Sequence, residues 1–365
     1  MSDLELMSGQ APSVDESTGT FMRRRTFTVA EAFLCALAVL VVALAGRILL
    51  MAFGGLLVGV FLYSLAKGTS SITRLPYGLA LALVVVALVA IVGGLFLLVG
   101  NRLASQANEL SDAVSRSLIQ LRDYLANYQW GQRILEQSPE WGKAIAQGNI
   151  PSRITDTASS IVDFTLAIVI MLFIGLYGAV EPETYRNGLL RLVPLDKRRR
   201  ANEVISVLVY NLRWWLLGQL FSMLCVGLIT GIGLWLIGAP LALTLGVLAA
   251  MLEIVPNIGP VLWLVPAVMV AFTDSATQVL HVVIIYVVTH AFESYVLIPL
   301  VQRRTVWLPP ALSILAVVLL GLLTGFLGLL VAAPLALVIM LLVKMLYVED
   351  FLGDRTLNVA GEVRH

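Results

Sequence analysis

Glu253-Ile254-Val255-Pro256-Asn257-Ile258-Gly259-Pro260 sets two prolines, a glycine and a carboxylate in the middle of an apolar run spanning residues 240–272. Proline removes a backbone donor and clashes with the turn before it, while glycine permits a sharp change of direction. The run therefore reads as a broken helical hairpin. Either half holds about 16 residues, short of the about 20 that cross ~30 Å of hydrocarbon. Lipid offers no partner to open backbone groups, so such a break must be covered by protein or face water.

The whole composition agrees with lipid as part of the solvent. Of 365 residues, 59% are hydrophobic and 13% are charged, with mean hydropathy +0.91; soluble domains carry about 25% charged residues. A net charge of +1 with no basic face argues against a nucleic-acid partner. Cys35 and Cys225 lie within apolar runs and make neither a disulfide framework nor a metal cluster. There is no Gly-x-Ser-x-Gly elbow, no His-Glu-x-x-His and no Walker A loop. The expectation is a protein that is not an enzyme and holds no cofactor, with H+ or Na+ as the coupling ion.

Upstream of the broken hairpin, residues 29–65 are almost continuously apolar, with Gly46-Arg47 and Gly54-Gly55 as interruptions. One straight helix of that length would measure about 55 Å, so two short spans turning near Arg47 are expected. Residues 76–99, 161–180 and 216–237 form further spans. Between the third and fourth, Leu103, Ala107, Leu110, Val114, Leu118, Leu121, Leu125 and Tyr128 recur at steps of three and four, which predicts an amphipathic helix. Ser138-Pro139-Glu140 reads as the start of another. This helical layer serves packing or assembly, with solute binding as the alternative.

Downstream, a span over 279–297 leads to a second interrupted segment, 310–344, with Gly321, Gly325 and Gly328 near its middle. Each hairpin follows a full span, and the two begin on opposite sides of the membrane. That is the pattern of an inverted repeat, whose interrupted segments mark the binding site.

The expected fold is an all-α membrane protein with about eight hydrophobic segments, two of them Gly/Pro-broken hairpins, plus an extramembrane helical layer. Its organisation reads as a disordered cytoplasmic N-terminus (1–28), N-terminal spans (29–100) and an extracytoplasmic amphipathic region (101–158). A transport core (159–346) with an interfacial helix near 201–215, marked by Arg213-Trp214-Trp215, precedes a cytoplasmic tail (347–365). Arg23-Arg24-Arg25, Lys67 with Arg74, Lys197-Arg198-Arg199-Arg200 and Arg303-Arg304 are read as cytoplasmic, giving a multi-pass protein of the bacterial inner membrane with both termini inside.

Glu253 is a carboxylate at depth, which is usually paired or on a transport path; capping of open amides is the plainer role. Tyr286, His290 and Glu293 share one helical face at i, i+4 and i+7. His290 and Glu293 are close enough to share a proton or an ion pair, or simply to form a polar seam between helices. The candidate path comprises Glu253, Pro256, Asn257, Gly259, Pro260, Tyr286, His290 and Glu293. The expected partners are a small-molecule or ion substrate, membrane lipids and further copies of the chain.

The run Gly231-Ile232-Gly233-Leu234-Trp235-Leu236-Ile237-Gly238-Ala239-Pro240, the hairpin break itself, Glu293-Ser294-Tyr295-Val296-Leu297-Ile298-Pro299 and Gly325-Phe326-Leu327-Gly328-Leu329-Leu330-Val331-Ala332-Ala333-Pro334-Leu335-Ala336 resemble the autoinducer-2 exporter family. Asn257 stands where that family often carries an aromatic residue. The resemblance implies a permease exporting a small solute as a secondary transporter. Sodium–proton antiport, a passive pore and a membrane scaffold are the alternative functions.

Overall fold

The computed structural model describes residues 29–129, 132, 158–302, 306 and 308–354. Two units are distinguished, Met1–Gly46 and Arg47–His365; the packing below belongs to the second. The described residues are helical throughout, with connecting turns, as expected of an all-α membrane protein.

The chain begins with α1 (Val29–Thr73) and α2 (Tyr77–Ala126). The turn expected near Arg47 does not occur, because residues on both sides of it are helical. A lone glycine costs a helix only about 1 kcal/mol, and no proline accompanies it. The third span and the amphipathic helix are likewise one 50-residue helix rather than two. The start expected at Ser138-Pro139-Glu140 lies outside the described residues.

Next come α3 (Ala158–Val180) and α4 (Pro182–Arg191), which meet at an 88° bend, and then α5 (Arg198–Leu236). The interfacial helix expected near 201–215 is not separate: nothing between Trp215 and Leu216 breaks a helix, and α5 runs through both. The first hairpin is α6 (Ala242–Leu252) and α7 (Gly259–Phe272). Following it, α8 (Ala276–Phe292) starts at Ser275, whose side chain accepts a hydrogen bond from Gln278 N at 3.1 Å. It passes through a π turn (Glu293–Leu297) into α9 (Ile298–Gln302). The second hairpin, α10 (Pro310–Thr324) and α11 (Phe326–Leu342), turns at Gly325 with φ of 67°, where a side chain would be strained. A second π stretch (Val343–Phe351) continues α11.

Among the described residues five helices are long and apolar enough to cross a membrane, six if the bent α3–α4 pair is one span. This is fewer than the eight segments expected. The undivided α1 removes one, and the first hairpin supplies none, since its arms of 11 and 14 residues reach only about 17 and 21 Å. The hairpins also differ in kind. Fifteen residues in α10 pair with a 26-residue stretch, Phe326–Phe351, that is long enough to cross.

Side-chain ties fix both ends of this core. At one end Gln278 Nε2 donates to Ile237 O at 3.3 Å, joining the start of α8 to the end of α5. At the other, Arg200 Nη2 reaches Glu349 Oε2 at 2.6 Å, and Asn211 Oδ1 accepts from Val306 N at 3.0 Å. The ends of the second hairpin therefore lie beside the first half of α5. Between them, Gln219 meets the break of the first hairpin, about 27 Å along α5 from Ile237 and about 29 Å from Arg200.

Candidate functional site

The site is made where α6 stops. Glu253 caps α6, and three residues of loose turn follow before Asn257 adopts φ of 66°. Asn is among the few side chains that tolerate this region. Gly259 then presses against Leu252 O and Glu253 Cα so closely that no Cβ would fit. Pro260 sits at the start of α7, where its missing N–H costs no hydrogen bond. Each break residue flagged in the sequence thus has a local cause.

The break brings Glu253 to Glu293 although 40 positions separate them in the chain. Glu253 is 1% exposed and Glu293 7%, and their side chains are close enough to interact. One oxygen of each acid, Oε2, is buried without a hydrogen-bond partner. Two carboxylates this close repel each other when both are charged, a cost that a proton or another cation between them relieves. Glu293 opens the π turn, a departure from α geometry that recurs at functional sites because it re-aims a side chain.

Tyr286 and His290 lie along the face of α8 that leads to Glu293. Their rings stack with centroids 5.8 Å apart, and Tyr286 meets Trp263 of α7 edge-on at 5.5 Å. His290 Nδ1 is 3.4 Å from Glu293 Oε2, an ion-pair distance without hydrogen-bond geometry. The His290 side chain is 48% exposed, so it connects the buried acids with the surface. Asn257 is exposed and Pro256 half-buried; both shape the break rather than join the buried pair.

Several participants escaped the sequence reading. Thr289, one turn before Glu293, and Trp263 are buried with Oγ1 and Nε1 unpartnered. Gln219 donates to Glu253 O at 2.5 Å and also lines an apolar cavity of about 270 Å³, walled by Phe61, Met171, Trp215, Met223 and Ile254 among others. A lone amide in the apolar run of α5 was the available signal. Arg200, read as a topology marker, instead holds Glu203, Glu349 and Asp350 together; the acid pair after the last span was its signal.

Comparison with known proteins bears on the same stretch of chain. The candidate transport protein YueF of Bacillus subtilis (strain 168) is 27% identical over 275 residues, 72% of this chain and 74% of that one. A second from that organism, YrrI, is 29% identical over 175 residues, 48% of this chain and 50% of its own. A candidate transport protein of Thermotoga maritima is 33% identical over 118 residues, 32% of this chain and 36% of its own. The model of the AI-2E family transporters matches residues 32–347, from within α1 to the last π stretch. A match of that extent means that the chain is a multi-pass membrane protein belonging to the AI-2E family of transporters.

Proposed function

We propose that the chain is a secondary transporter that moves a small solute by alternating access around the Glu253–Glu293 pair, exporting it from the cell against entry of a coupling cation. The observation carrying this reading is the acid pair itself, buried beside a helix break. Two like charges side by side in a dry site are strongly unfavourable unless a proton or another cation neutralises them. That requirement couples proton release to the arrival of another positive charge. Access to the pair would alternate between exposed His290 on one flank and the apolar cavity at Gln219 on the other.

A second reading, sodium–proton antiport, draws on the unpartnered oxygens of Glu253, Glu293 and Thr289. Oxygen atoms beside irregular backbone are the usual ligands of sodium in transporters built from broken helices. The proposed setting is a bacterial inner membrane with residues 197–200 on the cytoplasmic side.

The protein reconstituted in proteoliposomes would be given a pH gradient, a sodium gradient or neither, while interior pH and uptake of a labelled solute panel are followed. Solute accumulation driven by the pH gradient supports solute–proton exchange. Proton movement driven by sodium alone supports antiport, and equal downhill flux under all three conditions defeats both.

A further inference from the structure

Away from the acid pair, the ends of α1 and α2 and the α3–α4 elbow enclose an open cavity of about 540 Å³. We infer that this cavity binds a phosphoethanolamine group, the zwitterionic headgroup of a membrane lipid. Its walls are split by charge. On one side the Lys67 ammonium lies 5.5 Å over the Tyr63 ring and donates to Tyr63 Oη at 3.3 Å, with Ser70 and Tyr77 beside it. An ammonium has three donors, so two remain for a phosphate. On the other side stand Glu181, Glu183 and Thr184.

Among the described residues no ion pair joins Lys67 to either glutamate, although all three line one cavity. Opposite charges kept apart across an open space suit a ligand carrying both signs. The glutamates accept hydrogen bonds from a primary ammonium, which a trimethylammonium cannot donate. The same two acids repel a headgroup of net negative charge.

The surroundings fit a lipid. The 88° bend turns α4 away from the line of α3, and α4 buries no residue, leaving Tyr185 and Leu189 exposed. Leu79, Leu83 and Val86 on α2 and Phe173 and Tyr177 on α3 are exposed as well, offering apolar surface to acyl chains next to the headgroup cavity. A polar pocket at the foot of lipid-facing helices is where a headgroup resides.

The test uses the full chain in nanodiscs of equal phosphatidylethanolamine, phosphatidylcholine and phosphatidylglycerol, with retained lipid counted by native mass spectrometry. The parent should enrich phosphatidylethanolamine about fivefold over the other two, the worth of roughly one exposed ion pair. Lys67→Gln should abolish that enrichment. The double variant Glu181→Gln/Glu183→Gln should instead shift retention toward phosphatidylglycerol, because the lysine side survives alone. All three positions are exposed, so each variant should elute as the parent does. Free phosphoethanolamine is added in a parallel arm: displacement of the lipid supports the site with the soluble zwitterion as a second source, and no displacement supports it with the lipid as the source. Equal retention of the three lipids by the parent, preference for phosphatidylglycerol, or unchanged enrichment in both variants overturns the inference.

Discussion

Gln219 holds Glu253 by its backbone and not by its acid: the amide Nε2 donates to the Glu253 carbonyl at 2.5 Å, and the carboxyl is left to meet Glu293. The carbonyl belongs to the end of α6, where no following turn supplies a donor. Gln219→Leu should therefore orphan a buried acceptor, at a cost of about 1–3 kcal/mol. A thermal melt in detergent should show a lower midpoint than the parent, together with reduced flux. An unchanged melt would mean that water or another group serves the carbonyl equally well.

Glu253→Gln and Glu293→Gln keep shape and hydrogen-bonding capacity but cannot change charge. Each should lose gradient-driven accumulation at least about tenfold while downhill flux persists, as expected when a coupling group is removed. Accumulation at parental levels in both would exclude the pair from coupling. Loss of expression along with every kind of flux would assign it a structural role.

At the break, backbone angle separates two substitutions at one residue. Asn257→Gly should be neutral or better, whereas Asn257→Val should cost about 1–2 kcal/mol at φ of 66°. Gly259→Ala should be worse than either, because its new methyl meets Leu252 O and Glu253 Cα. Melting and flux measured on the three variants should rank them in that order.

Arg200 and Glu349 lend themselves to a double-mutant cycle. Glu349 is nearly buried, so removing Arg200 strands its charge, whereas removing both charges relieves that penalty. Arg200→Gln should destabilise by about 1–3 kcal/mol, and Arg200→Gln/Glu349→Gln by less than the sum of the singles. Additive losses would show that the two do not act as a pair.

Single cysteines at Gln129 and Arg199 test sidedness in intact cells with an impermeant thiol reagent. The lysine and arginine distribution predicts labelling at Gln129 and protection at Arg199. The reverse pattern would invert the orientation. Since α1 is not divided at Arg47, a third cysteine near Arg24 is needed to place the N-terminus independently.

What the sequence made legible was local chemistry. Pro256, Gly259 and Pro260 crowded into five positions read as a break, and glycine at 325 suits the positive φ of the second turn. The face joining Tyr286, His290 and Glu293 was read from helical periodicity; the Tyr286 and His290 rings stack, and His290 Nδ1 lies 3.4 Å from Glu293 Oε2. Relations between distant residues were hidden. Glu253 and Glu293 drew attention singly, yet nothing in their spacing says that they touch, and the π turn that aims Glu293 has no residue signature. The error at Gly46-Arg47 came from treating a helix's length as a limit, although a helix can continue beyond the hydrocarbon.

The length of α2 has a mechanical consequence. Its first turns are seated against α1 and α3 through Leu81, Val84 and the Tyr77 hydroxyl, which donates to Ala179 O. Some 30 residues later Leu110 and Ala113 pack with the first hairpin, and Ser117 donates to Met269 O. A rod of about 75 Å is pinned to two helix groups, so in the proposed alternating-access cycle any rocking of the hairpin would have to tilt it. A nanobody raised against the far end of α2, near Asp123 and Tyr124, would act as a brake, halting turnover without entering the membrane or touching either glutamate.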